Sequence, residues 1–234
     1  NASRSVAREL HYPSDRILPW DWSRIEPLTA AKAGPNEPAA PTAFFAGAVT
    51  VEKGVQDCLE AIVHAKAQGV HLSVTFAGPG NLEYWSAEAA RLGVDGQARF
   101  LGMVANHEVK ALMRSHDMVI VPSRHNYAEG LPNTIYEALA SRTPLIVSDH
   151  PAFRGRLEVG RQCLEFAASD PVQLAAEIVT LVRSRDLYAA LSANSVKALD
   201  QLYHGIEWQD LIDFFLKDPG NKTGWVARHA ISAV

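Results

Sequence analysis

From Thr42 onward, short apolar runs alternate with longer segments whose apolar residues recur at three- and four-residue steps, the pattern of βαβ units around a parallel sheet. Strands are predicted at Ala43–Ala48, Leu72–Ala77, Ala98–Leu101, Met118–Pro122, Leu145–Ser148 and Cys163–Phe166. Several are apolar without interruption, as strands covered on both faces are. Helices are predicted near Val55–Gln68, Asn81–Leu92, His107–Arg114, Pro132–Ser141, Pro171–Ser184, Arg185–Leu202 and Glu207–Leu216, with Leu59, Ile62 and Val63 marking one buried stripe. The expected fold is a Rossmann-like α/β domain in three layers, with a mainly parallel sheet of about six strands.

The stretch Pro27–Pro41, PLTAAKAGPNEPAAP, has no apolar period and reads as a linker or long loop. The expected organisation is therefore a preceding piece and linker over residues 1–41, the Rossmann-like domain over 42–216 and a tail over 217–234.

Composition narrows the function. The chain has 234 residues, 47% hydrophobic and 21% charged, and is long enough for a sizeable core. Lys and Arg number 22 against 26 Asp and Glu, so there is no overall positive field for nucleic acid. Cys58 and Cys163 each lie in an apolar stretch, as small core hydrophobes do, which fits a reducing, cytoplasmic setting. No run approaches the roughly 18 apolar residues of a membrane span, and residues 1–13 lack the apolar centre of a signal peptide. Peripheral membrane contact stays compatible with this pattern. Asn221-Lys222-Thr223 matches a glycosylation acceptor but stands without an export signal, and is set aside.

In such a sheet, ligands bind where the carboxyl ends of strands turn into helix amino termini. The first such loop, Gly47–Gly54, puts two glycines and Lys53 ahead of a helix, a combination suited to an anion. It carries neither the P-loop ending nor a dinucleotide fingerprint. The second, Ala77-Gly78-Pro79-Gly80-Asn81, has Glu83 where that fingerprint places its third glycine, which disfavours a nicotinamide enzyme. The richest loop follows the fourth strand and runs from Pro122 to Glu137. Pro132 suits a first helical turn, so Leu131, Asn133 and Thr134 surround an amino terminus that favours negative charge. Glu129 lies before this helix and Glu137 more than one turn inside it. A carboxylate so placed can accept hydrogen bonds from ribose hydroxyls, each worth roughly 1.5–3 kcal/mol. Scattered histidines give no zinc motif, and no nucleophile elbow is present. His125 and His150 flank the same region.

The Glu129–Glu137 spacing, with the ordered words Pro-Ser-Arg, Glu-Gly-Leu-Pro-Asn, Glu-Ala-Leu-Ala and Thr-Pro-Leu-Ile-Val-Ser-Asp, resembles the retaining GT-B glycosyltransferases of group 1, or family 4, with their Glu-x7-Glu signature. The resemblance covers roughly Thr42 to Leu216 and includes Glu52-Lys53-Gly54, Phe100-Leu101-Gly102 and Glu207-Trp208. It implies that the chain is the carboxyl-terminal, donor-binding half of such an enzyme. Glu137 would bind the ribose, Glu129 the transferred sugar, and Lys53 the diphosphate. Gly130 and Leu131 amides would cover phosphates and sugar at the Pro132–Asn133 helix start, and backbone near Met103 and Val104 would meet the base. Gly47 and Gly78 would line the donor cleft.

The family's usual arginine after the first-loop glycine is Ala48 here, so either Arg124 or another basic residue compensates or donor affinity is weak. Residues 3–27 resemble only the last helix of the amino-terminal acceptor domain and the crossover linker. No cofactor or metal is implied; the donor is a nucleoside diphosphate sugar, and the acceptor is a sugar, lipid-linked or other hydroxyl held by the other half. A fragment lacking that half should not turn over. The alternatives are a non-catalytic nucleotide-binding module and a nucleotide-sugar epimerase of the same fold.

Overall fold

The computed structural model describes His11 and residues 13–230. Their backbone forms two compact units, the larger spanning Pro27–Leu199 and the smaller joining the described residues up to Glu26 with those from Asp200 on.

In the larger unit, six strands form one all-parallel sheet: β1 (Thr42–Ala46), β2 (Ser73–Ala77), β3 (Ala98–Gly102), β4 (Met118–Val121), β5 (Leu145–Ser148) and β6 (Leu164–Phe166). Their order is β3-β2-β1-β4-β5-β6. The chain winds outward from β1 to one edge, returns, and winds to the other edge from β4, so the seam between β1 and β4 is the topological switch point. Helices α1 (Val55–Ala67), α2 (Leu82–Arg91), α3 (Asn106–Ser115), α4 (Asn133–Ala140), α5 (Pro171–Arg183) and α6 (Arg185–Leu202) supply the crossovers and outer layers.

The apolar runs explain the layering. Every residue of β4 and β5 is buried, because central parallel strands are covered on both sides, whereas edge strand β3 is only partly covered. The largest buried cluster joins Phe45, Phe76, Leu59, Ile62, Leu174 and Ile178, where α1 and α5 pack together on the sheet. Pro171 sits in the first turn of α5, and the preceding Asp170 accepts a hydrogen bond from the Gln173 amide, a capping arrangement legible in the sequence.

Two expectations shift by a residue or two. β1 ends at Ala46, before the expected Ala48, because Gly47 turns the backbone to φ +149°. Pro132 caps α4 from an extended conformation and does not occupy its first helical position. The segment after Pro27 is tied to the body: Leu28 N donates to Ala140 O at 2.8 Å, Lys32 N to Ser192 Oγ at 2.7 Å and Asn36 N to Asp117 Oδ1 at 2.8 Å.

The smaller unit is organised by buried Asp21, whose carboxylate accepts from the His204 amide at 2.5 Å and the Gly205 amide at 2.9 Å. It contains α7 (Trp208–Lys217) and a short helix that periodicity did not predict, α8 (Trp225–His229). No described helix is long and apolar enough to cross a membrane.

Glycines let the strand tips meet. Gly47 N donates to Ala77 O at 2.9 Å, and Gly78 N to Gly102 O at 2.8 Å. A β-carbon on Gly78 would fall 1.9 Å from Gly47 O, and Gly78 has φ +144°. Gly78→Ala therefore demands backbone displacement, and is expected to cost about 2–4 kcal/mol. Urea unfolding of the variant against the parent chain measures it.

Candidate active site

The carboxyl-terminal tips of β1 and β4 stand side by side at the switch point, and Lys53 and Glu129 converge there. Lys53, on the loop after β1, is 7% exposed. Its Nζ lies 2.5 Å from Glu129 Oε1 and 3.3 Å from Ser123 Oγ, both on the loop after β4. The Ser123 hydroxyl donates to the other oxygen of Glu129. The Tyr127 ring closes a further side, its centroid 4.8 Å from the ammonium. The pair is nearly dry, with side-chain exposures of 8% and 9%. Two charges withdrawn from water so far persist only when each has a partner and further hydrogen bonds, and here both do.

Glycine brings these loops together. Gly54 caps α1 in the left-handed region at φ +80°, and a β-carbon there would fall 2.2 Å from Pro122 O. Arg124 N donates to Glu52 O at 2.8 Å across the same junction. At Gly47 a β-carbon would sit 3.5 Å from Lys53 Cε, so the glycine keeps the face beside the lysine open.

Arg124 is placed otherwise than expected. Its guanidinium forks onto Asp57 of α1, Nε to Oδ2 at 3.0 Å and Nη2 to Oδ1 at 2.5 Å. Asp57 is buried, and its hydrogen bonds hold the Arg124 pKa above the ordinary value. This cation neutralises a buried carboxylate, so it does not stand as a free replacement for the arginine that Ala48 lacks.

α4 starts beside the ion pair. Thr134 Oγ donates to Ala46 O at 3.2 Å, fixing the first helical turn against the β1 tip. Pro132 offers no side-chain cap, and the exposed Gly130 and Asn133 with half-buried Leu131 frame this helix start. Glu137 is three residues beyond Thr134 and shares its helix face. It is half-buried and makes no ion pair among the described residues; burial raises its carboxyl pKa above the ordinary glutamate range. The two acids therefore differ physically, Glu129 being charge-paired and Glu137 desolvated and uncompensated. Met103, 75% exposed, and half-buried Val104 follow the left-handed turn at Gly102 that ends β3. They occupy the outer rim, two strands from β1.

Sequence reasoning assigned no role to Ser123, Tyr127 or Asp57. Ser123 lies directly past a wholly apolar strand, a position that could have singled it out; the Asp57–Arg124 contact spans 67 residues and leaves no local trace. His150 is buried, accepts from Ala152 N at Nδ1 over 3.2 Å, and so donates from Nε2 to Tyr127 O at 3.0 Å as the neutral ring. It braces the loop bearing Tyr127. His125 is turned to Asp149, 2.7 Å away.

Residues 40–184 match the model of the family described as glycosyl transferases group 1, a span of more than half the chain. Among curated proteins, glycogen synthase of Mycobacterium tuberculosis is 27% identical over 191 residues, covering 81% of this chain and 42% of that protein. Phosphatidyl-myo-inositol mannosyltransferase of Mycobacterium leprae is 30% identical over 151 residues, covering 63% of this chain and 39% of that protein. The chain thus spans less than half the length of these relatives. Among solved structures, Anabaena Alr3699/HepE in complex with UDP superimposes with a TM-score of 0.63 at 17% identity, covering 80% of this chain and 49% of that one. The carboxyl-terminal domain of a group 1 glycosyl transferase, LpcC, from Francisella tularensis gives 0.62 at 18% identity, covering 75% of this chain and 94% of that domain. The fold is thus the Rossmann-like domain of GT-B glycosyltransferases, and the chain belongs to the glycosyl transferases group 1 family.

Proposed function

We propose that this domain binds a nucleoside diphosphate sugar, and that the intact enzyme transfers its sugar to a hydroxyl acceptor with retention of anomeric configuration and without a metal ion. The observation that carries the reading is the Lys53–Glu129 pair at the β1/β4 seam, with the uncapped start of α4 beside it and Glu137 one turn further on. Glu137 accepts hydrogen bonds from ribose hydroxyls. Glu129 holds hydroxyls of the transferred sugar, while Lys53 and the amides of Gly130, Leu131 and Asn133 receive the diphosphate, with Pro132 setting the helix start. Gly47 and Gly78 allow close backbone approach, and Met103–Val104 form the edge for the base. Anabaena HepE has been solved with UDP and with UDP-glucose, which supports a donor of this class for the shared fold.

Charge on the departing diphosphate is then stabilised by groups fixed in advance, the ammonium and the helix amides. Ala48 removes one cation from this set, and Arg124 is engaged by Asp57, so Lys53 carries a larger share. Acceptor recognition is assigned to the portion of such an enzyme that the chain does not span.

Titration of the chain with UDP, GDP and ADP tests the ribose assignment. Glu137→Ala is expected to weaken the nucleotide that binds by at least about tenfold, the worth of a hydrogen bond to a charged acceptor. Equal affinity in both proteins would defeat that assignment.

The raised pKa of Glu137 gives a second expectation, in stability. A carboxyl raised on folding contributes stability that is full below its unfolded pKa and lost as pH rises through the folded value. At neutral pH the ionised group is therefore a cost, and Glu137→Gln is expected to raise the melting temperature by about 2–4 °C for each kcal/mol relieved. The gain should shrink as pH falls through the range where Glu137 takes up its proton. Calorimetric melts of both proteins across that range measure it; a variant less stable at neutral pH contradicts the assignment of burial as the cause.

A further inference from the structure

Ser123 is fully buried at the tip of β4, and its hydroxyl serves two opposite charges at once. It donates to Glu129 Oε2 and accepts from Lys53 Nζ at 3.3 Å, while the ammonium reaches Glu129 Oε1 at 2.5 Å. Ammonium, hydroxyl and carboxylate thus close a three-membered ring of contacts. The backbone that carries this hydroxyl is held as well, because buried Ser148 Oγ donates to the Ser123 carbonyl oxygen at 2.6 Å. A hydroxyl can donate to the acid and accept from the base together; alanine can do neither.

The ring has a consequence for what the site accepts. Lys53 is neutralised by Glu129 within the ring. A bare diphosphate that draws Lys53 away leaves a nearly dry carboxylate short of a partner, which is costly. A ligand bringing sugar hydroxyls as well as phosphates compensates both charges in one event. Throughout, Ser123 can keep hold of Oε2, so Glu129 stays aimed while Oε1 changes partner from ammonium to sugar hydroxyl.

Resting on the donor reading given above, we propose that Ser123 is a positioning residue that makes the site prefer a nucleoside diphosphate sugar to the bare nucleoside diphosphate, by anchoring Glu129 during its exchange of partners. The preference lies in the closed ring and in no single contact.

Calorimetric titration with UDP, GDP and ADP, each beside its glucose conjugate, reads the preference as a ratio of affinities. The parent chain should favour the conjugate of whichever nucleotide binds. Ser123→Ala should lower that ratio about tenfold, with a much smaller change for the bare nucleotide. Glu129→Gln should lower the ratio as well and, by freeing Lys53, tighten the bare nucleotide. Adding Ser123→Ala to Glu129→Gln should then lower the ratio no further, since Ser123 acts through Glu129. Independent, additive losses, or equal losses for both ligands, would overturn the proposal. If Ser123→Ala does not fold, the Glu129→Gln ratio decides alone, and a ratio equal to the parent's overturns the proposal. A parent chain that binds none of the nucleotides removes the donor reading and this inference with it, whereas nucleotide binding with an unchanged Ser123→Ala ratio removes only this one.

Discussion

A parallel sheet wound outward in two directions from one seam cannot fill the space above that seam, because the connections leaving the two central strands turn to opposite sides. In this chain the seam falls between β1 and β4, and the loops leaving those strands carry Lys53 and Glu129. The geometry brings a cation and an anion from positions 76 residues apart to hydrogen-bonding distance. The rest of the site is arranged around this meeting, and the apolar strands that enforce it carry none of the chemistry.

Close approach at the seam requires backbone without side chains. Gly78 admits the carbonyl of Gly47, and Gly54 admits that of Pro122, so three strand tips form one continuous floor. A floor built from backbone keeps amides and carbonyls available beside the two charges. The α4 amino terminus joins this floor through Thr134, whose hydroxyl donates to Ala46 O at the β1 tip.

Two ion pairs occupy this region and serve different ends. Arg124 and Asp57 match fork to carboxylate, an arrangement that locks the loop after β4 onto α1. Lys53 and Glu129 make a simpler contact through a flexible ammonium, with one serine hydroxyl shared between them. The first contact is bidentate and suited to staying closed; the second depends on a point charge that can change partners. That asymmetry explains why the loop after β4 can be firmly placed and still present a responsive group.

Much of the fold was legible in the sequence, since alternation of apolar runs with helical periods reports a layered parallel sheet directly, and the six predicted strands and seven predicted helices correspond to observed elements. The two acids and the lysine were legible because Lys53 and Glu129 stand in strand-to-helix loops and Glu137 in the helix that one of those loops enters, the location at which this architecture gathers ligands. The sequence could not assign Arg124, which looked like a free cation beside the acids until the fold set it against Asp57. Nor could it tell that Glu129 is charge-paired and Glu137 desolvated, because pairing and desolvation are properties of the packed surroundings. The sequence by itself determined which elements form, in what alternation, and where polar chemistry could collect, because those follow from local periodicity and turn residues. Only the tertiary structure decided which charge meets which, because burial and partner choice depend on distances between segments that no local pattern encodes.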